Sequence, residues 1–274
     1  MALQREITAK SILTKSAVSD YSINCYSGCL HNCVYCYARY MRRFTNHTEQ
    51  WGRYLDVKIN AAELLQREVR RKKPGSVFFS SACDPWQPAE RKYELTRTCL
   101  RIAADAGFNI STLTKSALMV RDLDILSAAQ DCSVGCTITT LDESLRRRIE
   151  VAASASEARL RALEQARGMG LKIWVFCGPL LPGLTDTPEN IESVFGRIRD
   201  LEPDRVIVDK LNFRTGVFES IMDLLRKLYP DLIPTYRSLV SYPEEYEAYA
   251  AKLRLTVRKI ARATGLEDRI SVCS

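Results

Sequence analysis

The sequence predicts an α/β fold in which parallel strands, each followed by a helix, close into part of a barrel. Six short apolar stretches with strand character alternate with amphipathic helical stretches along most of the chain. The linkers between them are short, and the sequence contains no repeat or low-complexity segment. Polar or unusual residues follow the strand ends, where the loops of a parallel barrel carry the chemistry. Strands separated by single helices therefore indicate parallel pairing with crossover helices.

Each predicted element has a local pattern, and several have a clear end signal. Pro74 and Gly75 close the first long helix, Gly107 closes the second, and Pro188 lies in the first turn of the last one. The predicted strands are Ser22–Tyr26, Ser76–Ala82, Phe108–Ser116, Ser133–Asp142, Leu171–Gly183 and Asp204–Asn212. The predicted helices are Asp56–Lys73, Glu90–Gly107, Met119–Asp131, Glu157–Gly168 and Thr187–Leu201.

The remainder of the chain is predicted to be helical, with a tyrosine-rich stretch. We expect a single domain of residues 1–274, with a core of about residues 20–212 and a helical C-terminal extension of about residues 213–274.

Composition narrows the partners and the compartment. The net charge is +7 and the sequence pI about 8.9, which favours a nucleic acid or another anionic partner, although many housekeeping enzymes are also basic. No N-terminal stretch is apolar enough for a signal peptide, and no segment approaches the roughly 20 apolar residues of a membrane span. We therefore expect a cytoplasmic protein, whose ten cysteines are mostly reduced and available for metal binding or chemistry.

Four of these cysteines fall in the stretch NCYSGCLHNCVYCY of residues 24–37, at Cys25, Cys29, Cys33 and Cys36. A structural zinc site usually pairs closely spaced ligands, and no second pair with a two-residue gap exists in the chain. An iron–sulfur cluster needs soft thiolates on a flexible loop, and three sulfurs can hold three corners of one cube. A fourth iron without a protein thiolate is an open site for chemistry, so the spacing favours a cluster over zinc.

The spacing Cys29-x3-Cys33-x2-Cys36, with Tyr35 just before the last cysteine, resembles the cluster motif of the radical S-adenosylmethionine (SAM) superfamily. Longer stretches resemble its spore photoproduct lyase-like group, also described as DNA repair photolyase-like. The resemblance runs collinearly from about Tyr21 to Asp186. Its stretches are GCLHNCVYCYARY, DPWQPAERKYELTRTCL, TLTKSALMVRDLDIL, and TITTLDESLRRRIE with the strand that follows.

The resemblance implies a partial TIM barrel, the (β/α)6 radical SAM core, with one [4Fe–4S] cluster on Cys29, Cys33 and Cys36. It implies SAM as a cosubstrate that chelates the open iron, and an electron donor such as flavodoxin or ferredoxin. One electron then cleaves SAM to methionine and a 5′-deoxyadenosyl radical, which abstracts a hydrogen atom from the substrate.

Positions that bind SAM in the lyases are also matched. The resemblance implies that a lysine binds the SAM carboxylate, an aspartate lies near its amino and ribose groups, and a tyrosine beside the last cysteine helps to bind it. It further implies a hydroxyl contact from the next strand and a small residue that lets the adenine approach the backbone. The matching residues are Lys115, Asp84, Tyr35, Thr137 and Gly178.

The chain departs from the lyases at their hydrogen-donor cysteine, which lies three residues before the position of Asp84 and is Ser81 here. A serine O–H bond is too strong to replace a thiol in hydrogen-atom transfer. Our candidate catalytic residues are therefore Cys83, as a substitute thiol, and Tyr37, which matches a relaying tyrosine. Cys177, at the end of the fifth predicted strand, is a second thiol candidate near the expected barrel mouth.

Other polar residues have structural interpretations. Cys25 stands where the group often has proline, and we assign it no role. His31 is expected to shield or hydrogen-bond a cluster sulfur, or to be a solvated loop residue. Four arginines match recurring arginines of the group, and we expect them in ion pairs between helices: Arg39, Arg97, Arg121 and Arg159.

For the substrate we favour nucleic acid, because the chain is basic and the lyases repair a thymine photoproduct in DNA. The sequence itself contains no recognisable stacking platform or groove-reading motif. Two alternatives remain: a radical SAM enzyme that modifies a small molecule, peptide or protein, and a non-enzymatic zinc or iron–sulfur binding module.

Overall fold

A sheet of eight strands forms the centre of the computed structural model, which describes residues 2–273. Numbered along the chain, the strands are β1 Leu3–Ile7, β2 Leu13–Lys15, β3 Tyr21–Ile23, β4 Tyr26–Ser27, β5 Tyr54–Lys58, β6 Ser76–Phe79, β7 Asn109–Thr114, β8 Cys132–Thr137, β9 Lys172–Leu180, β10 Arg205–Lys210 and β11 Ile270–Val272. The sheet runs in the order β11-β10-β9-β8-β7-β6-β3-β2, and every neighbouring pair is parallel except β2 with β3. The predicted α/β partial barrel is confirmed, with all six predicted strands present as β3 and β6 to β10.

The helices cross between these strands. They are α1 Ala61–Val69, α2 Glu90–Tyr93, α3 Leu95–Asp105, α4 Leu123–Ala128, α5 Glu143–Ile149, α6 Ser156–Gly168, α7 Pro188–Arg199, α8 Val217–Leu228, α9 Ile233–Ser241 and α10 Pro243–Ala263. Short 3-10 helices span Tyr37–Phe44, Ala117–Asp122, Pro230–Leu232 and Glu267–Arg269. The prediction is closest for α6 and α7. The Thr187 side chain caps α7 by accepting a hydrogen bond from the backbone N–H of Asn190 at 3.3 Å.

The start of the first predicted helix, Asp56–Lys73, is wrong. Residues 56–58 belong to β5, and only Ala61–Val69 is helical. The strand forms because β5 pairs with both β1 and β4, which buries Val57 opposite Tyr26. This small sheet, in the order β1-β5-β4, lies directly beside the cysteine-rich stretch.

Two further helices are interrupted. The predicted helix Glu90–Gly107 is divided into α2 and α3 at Glu94, whose φ of +48° is left-handed. The predicted helix Met119–Asp131 is a 3-10 helix over its first residues and ends at Ala128.

The C-terminal extension is helical through α8, α9 and α10, but it ends in a strand that was not predicted. β11 pairs in parallel with β10, aligning Val206 with Ile270 and Val208 with Val272. Three residues are too few to show a two-residue period, so the sequence gives no usable signal for this strand. The extension therefore returns to the barrel and adds one more parallel strand to its sheet.

Alternation along β9 separates the barrel interior from the layer of helices. Val175 and Cys177 are buried on the helix side, where α6 packs. Trp174 faces the interior, where its ring occupies the space beside Gly135 and lies 6.5 Å from the ring of Phe78. No helix within residues 2–273 is both long and apolar enough to cross a membrane.

Candidate active site

The cysteine loop, residues 24–36, is fixed to the barrel by a glycine and a glutamine. Gly28 has a φ of +92°, and a Cβ there would lie 2.7 Å from a backbone oxygen of β5, so only glycine fits. The fully buried side chain of Gln87 accepts a hydrogen bond from the backbone N–H of Leu30 at 2.9 Å and donates one to the backbone oxygen of Gly28 at 3.3 Å. Gln87 therefore holds the loop on both sides of its first predicted ligand.

The second half of the loop pairs with the end of α5. Cys33 forms an antiparallel bridge with Glu150, and the backbone N–H of Val34 donates to the carbonyl of Ile149 at 2.9 Å. The backbone around the second predicted ligand is thus set by main-chain hydrogen bonds, which are insensitive to side-chain identity.

A buried charge network lies behind this bridge. Arg159 donates to a Glu150 carboxylate oxygen at 2.5 Å and to the backbone oxygen of Thr137 at 2.6 Å. The hydroxyls of Tyr35 and Thr139 donate to the other carboxylate oxygen. Burial alone would raise the pKa of Glu150, but the charges of Arg159 and Lys115 and the hydrogen bonds from Tyr35 and Arg159 together outweigh it and lower the pKa. Burial raises the pKa of Tyr35, so its phenol stays protonated and oriented by Glu150.

Lys115 is the cation whose charge most lowers the pKa of Cys33 and Cys36. Its ammonium lies 3.3 Å from the Thr137 hydroxyl and 5.6 Å from the centre of the Tyr35 ring. Burial would lower the pKa of Lys115, but the acidic groups around it, Cys33 and Glu150 first, raise it. Within residues 2–273 the lysine has no carboxylate at ion-pair distance, so it can bind an added anion.

Asp84 is already fully engaged by the protein. Its carboxylate accepts hydrogen bonds from the backbone N–H of Trp86 at 3.0 Å, the hydroxyl of Thr114 at 2.6 Å and the backbone N–H of Lys115 at 2.7 Å. His31 lies 3.4 Å away, at ion-pair distance but without hydrogen-bond alignment. Burial would raise the pKa of Asp84, but the charge of His31 and these hydrogen bonds hold it at about 2. His31 thus contacts Asp84, and the pair ties the cysteine loop to the end of β7.

The three predicted ligands are free thiols near one another. Cys29 and Cys33 are buried and Cys36 is half-buried. Burial raises the pKa of all three, that of Cys33 to about 12, and the pKa of Cys29 is raised further by Cys36 and Cys33. Within residues 2–273, no three His, Cys, Asp or Glu side chains converge as the ligands of one metal ion do. A cubane cluster binds each thiolate at a separate iron, so the thiolates need only surround a common space.

Donors without partners adjoin this space, and they make the donor set suitable for an iron–sulfur cluster. Arg39 donates to the backbone oxygen of Cys33 at 2.9 Å, while its buried Nε has no partner in the described chain. The indole N–H of Trp51 is also buried without a partner there, in the group of side chains against which Cys36 packs. Unpaired N–H groups of this kind can donate the hydrogen bonds that anionic cluster sulfurs accept.

The two predicted catalytic residues lie on the loop side of β6. Tyr37 is 49% exposed, and its hydroxyl donates to the backbone oxygen of Ser81. The sulfur of Cys83 lies 3.6 Å from the backbone oxygen of Tyr26 and 3.8 Å from the Asn24 side-chain oxygen. Burial raises the pKa of Cys83 to about 12, so its thiol keeps its hydrogen at neutral pH.

The remaining sequence candidates lie in packed surroundings. At Gly178 a Cβ would lie 2.9 Å from the ring of Phe176 and 3.2 Å from Asp209, so glycine is needed for close packing. Cys177 is buried in β9 among the residues of the main hydrophobic core, and its role as a second thiol candidate stays a prediction. Cys25 is buried beside Cys99, and contact between the two thiols raises its pKa.

Three of the four predicted arginine ion pairs are confirmed. They are Arg97 with Asp122 at 2.8 Å, Arg121 with Glu90 at 2.9 Å and Arg159 with Glu150 at 2.5 Å. Arg39 is different, because its partner is the backbone of the cysteine loop rather than a carboxylate.

Sequence reasoning missed Gln87, Glu150 and Trp51. Gln87 lies inside the DPWQPAERKYELTRTCL stretch, where it could have been noticed. A glutamine side chain can accept a hydrogen bond from a backbone N–H and donate one to a backbone C=O. Glu150 is the last residue of the TITTLDESLRRRIE stretch, whereas Trp51 lies outside all of these stretches, and only folding brings the two residues to the loop.

Comparisons with known proteins agree with this geometry. Residues 23–195 match the Radical SAM superfamily. An uncharacterized protein of Mycobacterium tuberculosis is 32% identical over 250 residues, which are 85% of this chain and 74% of the relative. One from Methanocaldococcus jannaschii is 33% identical over 186 residues, 68% of each chain, and one from Acidianus two-tailed virus is 30% identical over 223 residues, 77% of this chain and 73% of the relative.

Solved structures share the fold at low identity. Spore photoproduct lyase complexed with dinucleoside spore photoproduct has a TM-score of 0.71 and 15% identity, covering 98% of this chain and 81% of the lyase. SuiB of Streptococcus suis bound to S-adenosylmethionine has a TM-score of 0.50 and 15% identity, covering 74% of this chain and 45% of that protein. At such identities the likeness shows the fold alone.

Proposed function

The chain belongs to the radical SAM superfamily, and from this membership we propose that Cys29, Cys33 and Cys36 hold the [4Fe–4S] cluster with which the family cleaves SAM. When bound, the cluster supplies the electron that splits SAM into methionine and a 5′-deoxyadenosyl radical, which abstracts a hydrogen atom from the substrate. The grouped free thiols beside unpaired N–H donors are the observation that carries this assignment. Because burial keeps the thiols protonated in the metal-free chain, loading them releases protons.

Lys115 is our candidate for binding the SAM carboxylate, supported by its ammonium having no carboxylate partner in the described chain. Thr137 orients this ammonium from β8, and Tyr35 lies beside it with its ring. Both carboxylate oxygens of Asp84 are already engaged. We therefore propose that Asp84 acts on SAM through Lys115, from whose backbone N–H it accepts a hydrogen bond. Gly178 remains the proposed adenine contact, next to the interior ring of Phe176.

For the hydrogen-atom transfers we propose Cys83 and Tyr37. The Cys83 S–H would donate its hydrogen atom to the substrate radical, and the O–H of Tyr37 would return one to the resulting thiyl radical. The radical then left on Tyr37 would regain its O–H by taking one electron from the electron donor and one proton from solvent. The protonated state of the thiol and the contact of Tyr37 with Ser81, the lyase donor position, support these roles.

We propose nucleic acid as the substrate class, supported by the surface that follows the cysteine loop. In a 3-10 helix, residues three apart lie on one face, which aligns Tyr37, Tyr40 and Arg43. The Arg43 guanidinium lies 5.4 Å from the centre of the Tyr40 ring and 4.7 Å from that of Phe44, which is 66% exposed. Exposed aromatic rings with an arginine are a stacking platform for unpaired bases. The lyase whose fold this chain shares is complexed with a dinucleoside photoproduct.

The experiment follows deuterium from substrate to 5′-deoxyadenosine. The reconstituted enzyme receives SAM, dithionite and an ultraviolet-irradiated thymidine oligonucleotide deuterated in its methyl groups and sugars. We expect deuterium in the 5′-deoxyadenosine by mass spectrometry, and none with Cys33→Ala. Unlabelled 5′-deoxyadenosine together with label transfer from deuterated cell peptides would instead favour the peptide or protein alternative.

For the electron donor we propose docking on the outer side of the cysteine loop. A groove of about 360 Å³ adjoins the loop there, lined by Asn32 and Val34 of the loop, and its charged lining has a net charge of +1 from Arg39, Arg42, Arg53, Glu219 and Asp223. This charge suits an acidic carrier such as a flavodoxin or ferredoxin. Arg42→Glu should slow reduction by the carrier and leave reduction by dithionite unchanged. Equal slowing of both reductions would contradict the docking site.

A further inference from the structure

We propose that the indole N–H of Trp51 donates a hydrogen bond to the Cys36 sulfur when that sulfur ligates the cluster, and thereby raises the cluster's reduction potential. This inference depends on the proposed function, because it requires Cys36 to be a cluster ligand. Trp51 would then be a tuning residue that acts through Cys36 and touches neither SAM nor substrate.

Trp51 carries a donor in the right place for this hydrogen bond. The Trp51 side chain is only 4% exposed, and its Nε1 has no hydrogen-bond partner within residues 2–273. Cys36 packs against the same group of side chains, which contains Cys29, Ala38, Trp51 and Tyr54. A buried indole N–H normally finds an acceptor, as that of Trp86 finds Asp122 at 2.7 Å.

The neighbours of Trp51 hold its indole ring in place. Trp51 packs edge-to-face on Tyr54, with ring centres 6.0 Å apart and an interplanar angle of 86°. The ring of His47 stacks on the ring of Tyr54, with the two ring centres 4.1 Å apart. The next residue, Gly52, has a φ of +84°, and the Asn32 side chain of the cysteine loop fills the place of its Cβ at 2.3 Å. Tryptophan and loop are therefore locked together on both sides, and the donor cannot swing away freely.

The consequence follows from charge. Reduction adds one negative charge to the cluster, so a hydrogen bond to a ligand sulfur is stronger in the reduced state than in the oxidised state. Such a bond favours reduction, and its loss should make the potential more negative. We expect a change of about tenfold in the one-electron equilibrium constant, which is about 59 mV for one electron.

The test compares Trp51→Phe with two matched variants. Phenylalanine keeps an aromatic ring for Tyr54 and lacks the N–H, while Trp51→His restores a ring N–H. Trp174→Phe is the control, because Trp174 also has a buried indole N–H without a partner among the described residues but lies beside Gly135 in the barrel interior. Redox titration followed by electron paramagnetic resonance gives the midpoint potential of each, and iron and sulfide content show that the cluster is intact.

We expect the midpoint potential of Trp51→Phe alone to be more negative than that of wild type, by about 59 mV. The potential of Trp51→His should be closer to that of wild type. An unchanged potential in Trp51→Phe with an intact cluster, or an equal shift in Trp174→Phe, overturns the proposal. If Trp51→Phe does not retain a cluster, the hydrogen bond is tested in the wild-type chain labelled with 15N in its indole rings. The reduced cluster should then show 15N coupling in pulsed resonance that persists in Trp174→Phe, and its absence overturns the hydrogen bond. Failure of the proposed function is distinguishable, since Cys36→Ala would then retain the cluster.

Discussion

Arg159 donates a hydrogen bond to Glu150 at 2.5 Å, and both side chains are fully buried. The pair lies where α5 meets the cysteine loop, and it also orients the Tyr35 hydroxyl and the Thr137 backbone. A charged pair in this position costs desolvation energy, which the extra hydrogen bonds offset. Its position couples the stability of the fold to the geometry of the candidate cluster site.

Removing one partner of this pair should therefore be costly. Arg159→Met leaves Glu150 charged and buried, and we expect a loss of about 3–5 kcal/mol in the free energy of unfolding. The double variant Arg159→Met with Glu150→Gln should recover much of it, because no charge remains unpaired. Urea unfolding measures both. As the control, Arg197→Met breaks partly exposed pairs with Glu157 at 2.9 Å and Glu164 at 2.6 Å and should cost less than about 1 kcal/mol. Equal costs for Arg159 and Arg197 would contradict this role.

Asp84 should make the protein sensitive to acid in a defined window. Its pKa is about 2 in the fold against 3.8 for an ordinary aspartate, so it binds its proton less readily when folded. The stabilisation, about 2 kcal/mol, is present above pH 4 and lost as pH falls towards 2. Wild type should approach Asp84→Asn in stability across this window in urea unfolding of the metal-free chain. A constant difference between them from pH 6 to pH 2.5 would contradict it. Asp200→Asn, at an exposed carboxylate, is the control.

The thiol of Cys83 should resist alkylation at neutral pH. Only the thiolate reacts, and a pKa of about 12 leaves almost none at pH 8. We expect iodoacetamide to label Cys83 at least tenfold more slowly than the exposed Cys273, as resolved by peptide mass spectrometry. Equal rates would show an ionised thiol and would contradict its role as a hydrogen-atom donor.

The aromatic and basic face of the 3-10 helix should contribute to nucleic-acid binding in a salt-dependent way. Each phosphate contact to a single strand adds about 0.7 to the slope of log affinity against log salt concentration. Arg43→Ala should reduce this slope by about that amount, and Phe44→Ala should weaken binding with little change of slope. Fluorescence anisotropy with a labelled oligonucleotide measures both. Arg199→Ala, at the far end of α7, should match wild type, and a similar loss there would indicate nonspecific attraction.

The barrel strands could be predicted from the sequence because each is an apolar run between short polar linkers, as in β9 and β10. β5 could not, because Asp56 and Lys58 look like the start of the polar face of α1, and only pairing with two other strands makes the segment extended. Glu94 looks helical by composition, yet its backbone is left-handed and divides the predicted helix into α2 and α3. In β5, tertiary pairing outweighed local propensity.

At the site, spacing in the sequence is enough to group the three predicted ligands, but not to describe what surrounds them. Asp84 is predicted to lie near the amino and ribose groups of SAM, but the sequence does not show that Thr114 and two backbone N–H groups engage its oxygens. A buried glutamate such as Glu150 cannot be recognised in a sequence, because its burial depends on an arginine that arrives from another helix. Tyr37, Tyr40 and Arg43 recur at every third residue, and this period is visible in the sequence. It indicates a shared face only if the segment forms a 3-10 helix.

The most direct test of the account is reductive cleavage of SAM by cysteine variants after anaerobic reconstitution. Wild type and Cys25→Ala should each bind about four irons per chain and release 5′-deoxyadenosine on addition of dithionite. Alanine at Cys29, Cys33 or Cys36 should abolish the product and lower the iron content. Retention of cleavage in any of these three variants, or its loss in Cys25→Ala with the fold intact, would contradict the assignment of the cluster.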